Sequence, residues 1–296
     1  MSSGAAAVGA LAPSPTGRAG RAGTLRRLLR HHSFQVGGGV VALLLLLAAI
    51  GPVLVPLDYF ETNVAGRLQP PGPGHLFGTD EFGRDVLARL VHGARISLKV
   101  GTISVGIALA AGGSLGLASG YVGGRADLLV VGLIDLLLAF PTLLFALAVV
   151  AILGPSLEHT MLAVGISSVP GFARLARATV LVTKQEAYVE AARGLGAGHG
   201  RLVRRHILPN IAASIIVLVT LAFPAALLNT AALGFVGLGA QPPTPEWGTM
   251  LSGARVYIVR APWLVNIPGV AIVITVLGFN LLGNALRDVL DPRLKT

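Results

Sequence analysis

Five long stretches of this 296-residue sequence contain no Asp, Glu, Lys or Arg. A helix needs about 20 apolar residues to cross the hydrocarbon core of a bilayer. Each stretch is long enough for one crossing, and the fourth ends in a proline-rich loop at residues 241–245. The stretches are residues 36–57, 100–124, 136–157, 207–245 and 261–286. They predict an all-α, polytopic membrane protein.

The composition supports this fold class. Hydrophobic residues make up 53% of the chain and charged residues 12%, with a mean hydropathy of +0.76. A water-soluble domain carries about 25% charged residues, so an ordinary soluble globule is excluded. The 39 glycines have no three-residue period, which excludes a collagen-like chain. The absence of Cys excludes disulfides and thiolate metal sites.

A sixth span is predicted at about residues 158–178, where two serines, a proline and a glycine lower the hydropathy. The complete set of predicted spans is about 36–56, 97–120, 128–153, 158–178, 211–236 and 264–286. External segments are expected at about 57–95 and 237–262, and a cytoplasmic loop at 179–209. The corresponding domains are a cytoplasmic tail (1–33), a first span with its external segment (34–95), and a transmembrane domain (96–296).

The distribution of positive charge predicts the orientation. With six spans, sixteen Lys and Arg residues lie on the side that holds both termini, and seven lie on the other. Cytoplasmic loops carry the excess of Lys and Arg, so both termini are predicted to be cytoplasmic. The net charge of +10 then flanks the membrane, where it can meet anionic lipid or a cytoplasmic partner. Nucleic acid is not a predicted partner.

A row of glycines marks the second predicted span. Gly112, Gly116, Gly120 and Gly124 follow one another at intervals of four residues. On a helix they would form one ridge without side chains, against which another helix can pack closely. A moving hinge is the alternative interpretation.

The chain carries no recognisable catalytic or nucleotide-binding chemistry. It lacks the G-x-x-x-x-G-K-[ST], H-E-x-x-H and G-x-S-x-G patterns. We therefore predict no catalytic residue, no metal site and no cofactor held by this chain. Asp135 is the one acid well inside a predicted span, and either an Arg pair or a transport pathway would explain it. The same alternatives, polar contacts between helices or a pathway, apply to four further residues: Asn229, Thr230, Asn280 and Asn284.

The predicted cytoplasmic loop has the pattern of a compact helix–turn–helix. Thr183 and Glu186 fit a capping box, and Glu190 and Arg193 are spaced to pair on one helix. Four alternate glycines between residues 194 and 200 should end this helix, and a short basic helix should follow until Pro209. A helix with an alanine face suits docking into a groove of another protein. A solvated linker is the alternative.

Several motifs resemble a known family. Glu190-Ala191-Ala192, Gly196 and Leu208-Pro209 resemble the EAA loop of bacterial ABC-importer membrane subunits, although His206 stands where the general pattern has Ile. Residues 205–210 look like the version of the peptide and nickel importer subfamily. Further blocks resemble its second, C-type permease: residues 78–87 (Gly-Thr-Asp-Glu-Phe-Gly-Arg-Asp-Val-Leu), 139–142 (Ala-Phe-Pro-Thr), 237–239 (Gly-Leu-Gly), 241–248 (Gln-Pro-Pro-Thr-Pro-Glu-Trp-Gly) and 286–292 (Leu-Arg-Asp-Val-Leu-Asp-Pro). The resemblance covers about residue 34 to the end.

The resemblance implies a permease subunit of a binding-protein-dependent importer in the inner membrane, carrying di- or oligopeptides. Nickel, glutathione or another small solute is the alternative cargo. The implied partners are a homologous second permease, two cytoplasmic ATPase subunits that bind ATP and Mg, and an extracytoplasmic substrate-binding protein. The implied ATPase-coupling residues are Glu186, Ala187, Glu190, Ala191, Ala192, Gly196, Leu208 and Pro209.

Two external groups could be scaffold or could contact the receptor or the incoming solute. The first group is Asp80, Glu81, Arg84 and Asp85, and the second is Glu246 with Trp247. Two functions of other classes are disfavoured: a stand-alone channel would need a pore motif or charged rings, and an intramembrane enzyme would need a catalytic pair.

Overall fold

The structure is a computed structural model that describes residues 26–55 and 58–290. Its principal helices are α1 (His32–Leu54), α2 (Val86–Ala108), α3 (Ser114–Val122), α4 (Gly124–Leu138), α5 (Thr142–Leu153), α6 (Leu157–Thr183), α7 (Ala187–Gly194), α8 (Leu208–Phe235), α9 (Trp247–Ala254) and α10 (Trp263–Leu290). The described residues form no β-strand, only two isolated bridges in the segment before α2. Most of the predicted tail and the end of the closing motif lie outside the described residues.

Two of the membrane helices are longer than their principal segments. A π-helical segment, Leu109–Gly113, joins α2 to α3 in one helix from Val86 to Val122. The short helix His199–Arg201 and the π-helical segment Leu202–Ile207 likewise run into α8. The fifth span therefore begins inside the predicted cytoplasmic loop. The prediction that a separate basic helix stops at Pro209 is wrong, because the helix continues through this proline from the π-helical segment into α8.

Four of the described helices are long and apolar enough to cross a membrane, and the pair α4–α5 adds a fifth if it is one span. The remaining predicted span, α6, has 27 residues but falls below the same measure of apolarity. Its position explains this: α6 packs against α2, α3, α5 and α8. A helix that is covered by protein can carry Ser167, Ser168 and Pro170, because less of its surface must face lipid.

The third span is bent, which corrects the prediction of one continuous helix at 128–153. The axes of α4 and α5 differ by 88° across the break between Leu138 and Thr142. Pro141 lies in this break. A proline lacks the N–H that a continuing helix requires and disfavours helical backbone at the residue before it.

The second span begins earlier than predicted. Helix α2 starts at Val86, inside the expected external segment 57–95, with Asp85 as its N-cap. The Asp85 carboxylate accepts a hydrogen bond of 2.9 Å from the backbone N–H of Ala88. Because Arg89, Arg95 and Lys99 all lie on this helix, the uncharged stretch starts only at residue 100, well after the helix does.

The glycine ridge packs against α6 of the same chain. A Cβ atom at Gly112 would lie 2.5 Å from the carbonyl oxygen of Val169, and one at Gly116 would lie 2.8 Å from the Cβ atom of Ala176. The packing interpretation is therefore confirmed for Gly112, Gly116 and Gly120. Gly124 is not part of the ridge, since it lies after the end of α3 with a φ of +63°.

Candidate functional site

The loop between α6 and α8, which the charge distribution predicts to be cytoplasmic, is built around the short helix α7. The predicted capping box is wrong: α7 begins at Ala187, the N-cap is Glu186 with extended backbone, and no side chain caps the helix. The first turn is closed by backbone bonds to the Glu186 carbonyl, from Val189 (2.9 Å) and Glu190 (3.2 Å). The ion pairs of the described residues do not include Glu190 with Arg193.

Helix α7 turns one apolar side chain inward and a row of small ones outward. Val189 is fully buried and anchors the helix, whereas Ala187 and Ala191 are exposed. Leu195 continues this row at the next interval of four residues and is 89% exposed. We call Ala187, Ala191 and Leu195 the apolar stripe. Sequence analysis identified the two alanines but missed Leu195, although the i, i+4, i+8 spacing was its signal.

The turn after α7 requires glycine at one position. Gly196 has a φ of +83°, and its N–H donates to the carbonyl of Arg193 at 2.9 Å. The N–H of Ala197 donates to the carbonyl of Ala192 at 3.0 Å. These two bonds form a Schellman motif with glycine in the left-handed conformation. No atom lies within 4 Å of a Cβ added at Gly196, so substitution there strains the backbone without a steric clash.

The loop is held against the ends of the membrane helices. The ammonium group of Lys184 donates to the Gly120 carbonyl at 2.7 Å, and the Tyr121 hydroxyl lies 2.8 Å from Nδ1 of His199. On the far side of the turn, Leu202 and Ile207 are buried, whereas Leu208 and Pro209 are exposed at the start of α8. The residues that flank α7 are therefore joined to the end of α3, and α7 itself contacts the π-helical segment that runs into α8.

Three of the four residues in the first predicted external group are buried in a polar network rather than on an open surface. Nε of Arg84 donates to Asp80 at 2.6 Å, and Nε of Arg89 lies 3.4 Å from the same carboxylate. Nδ1 of His75 lies 2.8 Å from Oδ2 of Asp85. The geometry favours the scaffold interpretation for Asp80, Arg84 and Asp85. Glu81 is partly exposed beside a cavity of about 410 Å³.

Glu246 and Trp247 are both buried, so neither side chain is available to an external partner in this structure. Glu246 is the N-cap of α9 and accepts a 2.9 Å bond from the N–H of Thr249. Burial raises the pKa of Glu246, because the charged carboxylate loses water and the described residues place no cation within ion-pair distance. Nε1 of Trp247 donates to the Leu90 carbonyl at 3.1 Å, which fixes α9 to α2.

The polar residues of the spans have different environments. Asp135 pairs with Arg174 at 2.7 Å. Thr230 is buried and its hydroxyl donates within its own helix, to the Ala226 carbonyl at 2.9 Å. Asn229 and Asn280 are partly buried and Asn284 is exposed on α10. The structure does not bring these residues together into one site.

Comparisons with known proteins identify the family. Residues 112–296 match the family described as binding-protein-dependent transport system inner membrane component. Residues 22–71 match the N-terminal transmembrane domain of oligopeptide transport permease C. The chain belongs to the family of inner membrane components of binding-protein-dependent transport systems.

The relatives are permeases of peptide systems. The dipeptide transport system permease protein DppC of Alkalihalophilus pseudofirmus is 49% identical to this chain, over 92% of this chain and 89% of its own length. The di/tripeptide permease DppC of Pseudomonas aeruginosa is 48% identical, over 90% of each chain. The glutathione permease GsiD of Pectobacterium atrosepticum is 45% identical, over 92% of this chain and 90% of its own.

A solved structure shares the fold. An inward-facing form of the MetNI methionine ABC transporter gives a TM-score of 0.57 at 20% identity, covering 68% of this chain and 96% of that chain. The resemblance to the C-type permeases of peptide importers is thereby confirmed, as are the helical membrane fold and the multi-pass inner-membrane location. As an ABC importer permease, the chain is a transport component and not itself an enzyme.

Proposed function

We propose that this chain forms one half of the membrane pathway of an ATP-driven importer of di- or oligopeptides, and that α7 is its docking site for the ATPase. The observation that carries the docking proposal is the apolar stripe of Ala187, Ala191 and Leu195, which α7 exposes while Val189 anchors it. A stripe of this kind, with Leu195 89% exposed in the isolated chain, suits a groove on a partner protein.

The exposed charges around the stripe support a protein partner. Glu186 and Glu190 flank it on α7, and exposed arginines follow at residues 201, 204 and 205. Such a mixture of charges can fix the orientation of the docked helix, because each charge meets a complementary charge on the partner in only one orientation. Ala192, half-buried, and Gly196 would set the depth and the direction of the docked loop.

The proposed assembly supplies what this chain lacks. ATP and Mg would be bound by two cytoplasmic ATPase subunits, a homologous second permease would complete the pathway, and an extracytoplasmic binding protein would deliver the solute. Both termini would be cytoplasmic, which places α7 on the side where ATP is available. Closure of the ATPases would then bias an equilibrium between two arrangements of the spans through the contacts of Lys184 and His199.

Peptides are the proposed cargo because the relatives at 49% and 48% identity carry names of dipeptide and di/tripeptide systems. Glutathione is the second candidate, favoured by the 45% identical glutathione permease. Uptake of labelled dipeptide and of labelled glutathione, measured in cells that contain the complete system and in cells without this chain, distinguishes the two. Uptake of neither solute would refute both.

Substitutions in the loop test the docking proposal. Gly196→Val should reduce peptide uptake strongly, because valine is strained at a φ of +83°. Gly198→Val is the matched control, since Gly198 has a φ of −67° and equally open surroundings. Glu190→Lys reverses a charge beside the stripe and should also reduce uptake. Protein level and receptor binding should stay normal in all three variants.

A cross-link locates the contact directly. The chain contains no cysteine, so a single cysteine at Ala191 can be joined only to a partner. We expect it to cross-link to the ATPase subunit, and a cysteine at the buried Val189 not to do so. Wild-type uptake by both Gly196→Val and Glu190→Lys would contradict the coupling role of this loop.

A further inference from the structure

One ion pair within the membrane helices is largely uncovered. The guanidinium of Arg174 on α6 donates to Oδ1 of Asp135 on α4 at 2.7 Å. The two side chains remain 61% and 58% exposed in the isolated chain. The second carboxylate oxygen and the other guanidinium N–H groups make no hydrogen bond with the described residues. The pair therefore has unused donors and an unused acceptor.

The pair lies beside the break in the third span. Helix α5 has 12 residues, which is about 18 Å of helix, against a hydrocarbon core of about 30 Å. The break after Leu138 therefore falls within the core when α5 crosses it upright. Asp135 is one turn from this break, on a helix whose fifteen residues include one buried residue, Ile134.

A neighbouring pair of the same types is built differently. Arg177 donates two hydrogen bonds to Asp127, of 2.6 and 2.7 Å, and Ser119 donates to the same carboxylate. The Arg177 and Asp127 side chains are only 29% and 17% exposed. This inner pair joins α4 to α6, and Ser119 adds α3 to the contact. The packing of α4 on α6 therefore does not require a second ion pair between these two helices.

Lipid is an unsuitable environment for the outer pair. Charged side chains inside a membrane face protein or a water-filled cavity, because hydrocarbon cannot solvate them. An aspartate is also too short to reach the interface from within the core, unlike a long arginine. The face of α4 that carries Asp135 must therefore be turned toward water or a polar partner in the assembled transporter.

We propose that Asp135 and Arg174 line the translocation pathway and bind the charged termini of a peptide in transit. This inference rests on the proposed function. A peptide with free ends carries one ammonium and one carboxylate, and the pair offers one carboxylate and one guanidinium. Since a half-exposed pair with a single hydrogen bond is weakly held, the peptide termini can replace the contact between the two side chains.

Cysteine labelling tests the proposal in the complete complex, in right-side-out membrane vesicles that are loaded with ATP and with one of the reagents. Asp135→Cys leaves Arg174 unpaired, so anionic sulfonatoethyl methanethiosulfonate, which mimics a peptide carboxylate, should react about tenfold faster than the cationic trimethylammonium reagent. Arg174→Cys leaves Asp135 unpaired and should show the opposite preference. Both reactions should block peptide uptake, and added dipeptide should slow them.

Leu133→Cys is the matched control. Leu133 lies two residues before Asp135, on roughly the opposite face of α4, and is 51% exposed in the isolated chain. Its cysteine should react with neither reagent. Equal reactivity of the cysteines at 133 and 135, no reaction at 135 and 174, or modification without loss of uptake would each overturn the pathway assignment. Failure of the cysteine-free wild type to import peptide would instead refute the proposed function.

Discussion

At the scale of single residues, Arg89 joins distant parts of the two segments that are predicted to be external. Its guanidinium lies 3.4 Å from the Asp80 carboxylate and donates to the carbonyls of Tyr59 (3.3 Å) and Pro243 (3.2 Å). Arg84 shares the same carboxylate. Asp80 is therefore the carboxylate that both buried cations share, and Glu81 is a second, more distant partner of Arg84 at 3.7 Å.

Removal of this anion should destabilise the segment before α2, which contains Asp80. Asp80→Asn keeps the size of the side chain but leaves Arg84 and Arg89 without their shared carboxylate. Loss of one partner of a buried ion pair costs about 3–5 kcal/mol. Thermal unfolding of the purified protein in detergent measures the effect. Glu61→Gln, an exposed change in the same segment, should leave the unfolding temperature unchanged, and equal shifts in both variants would contradict this account.

Glu246 should make the free energy of unfolding depend on pH, in a direction that follows from its pKa. Because burial raises its pKa in the folded protein, folding favours the protonated carboxyl group. Its contribution is therefore fully present below the unfolded-state pKa and is lost as the pH rises through the folded-state pKa. We expect the unfolding temperature of the wild type to fall over this interval relative to that of Glu246→Gln, which cannot ionise. Parallel pH profiles of the two proteins would show that Glu246 does not titrate there.

At the scale of elements, the apolar stretches predicted most of the spans because lipid-facing surface must be apolar along its whole length. The prediction was least informative where protein covers the helix. The polar residues of α6 obscured a real helix, and the arginines of α2 concealed its true start. The bend at Pro141 depends on a residue that was visible in the sequence. The 88° angle, by contrast, depends on how α4 and α5 pack on α6.

The candidate functional residues were likewise predictable only where they depend on local sequence. Gly196 was identified from the resemblance to the EAA loop and from the glycines expected to end the helix, and the turn that requires glycine there is a local property. The exposure of Leu195 and the uncovered pair of Asp135 with Arg174 result from tertiary packing. The place of Leu195 in the row follows from its spacing, but neither its exposure nor that of the pair does, since spacing does not show which neighbours cover a residue.

The glycine ridge allows a prediction about the packing of two helices, α3 and α6. Gly116→Leu should prevent α3 from packing on α6, since even a Cβ atom at this position would lie 2.8 Å from Ala176. The expected result is a misfolded, rapidly degraded chain, measured by its level in membranes. Gly106→Leu is the control on the joined α2–α3 helix, because nothing lies within 4 Å of a Cβ there. A normal level of Gly116→Leu would exclude close packing at this ridge.

At the scale of the whole molecule, the charge distribution predicts the orientation in the membrane. Reporter fusions at residue 75 and near residue 250 should read as external, and fusions near residue 195 and after residue 296 as cytoplasmic. An alkaline phosphatase fusion reports the external side, and a green fluorescent protein fusion reports the cytoplasmic side independently. A cytoplasmic signal at residue 75 would reverse the proposed position of α7, and with it the docking proposal.

The bonds between α2 and the segment before α9 have a consequence for biosynthesis. Arg89 and Leu90 complete their hydrogen bonds with Pro243 and Trp247, which follow 154 and 157 residues later. At about 5–20 residues per second, the ribosome needs roughly 8–30 s to make the chain that separates them. During that interval three further spans are made, while the N-terminal half of α2 lacks these two partners. A chain interrupted before residue 243 therefore lacks both of these bonds, however well its first five spans are inserted.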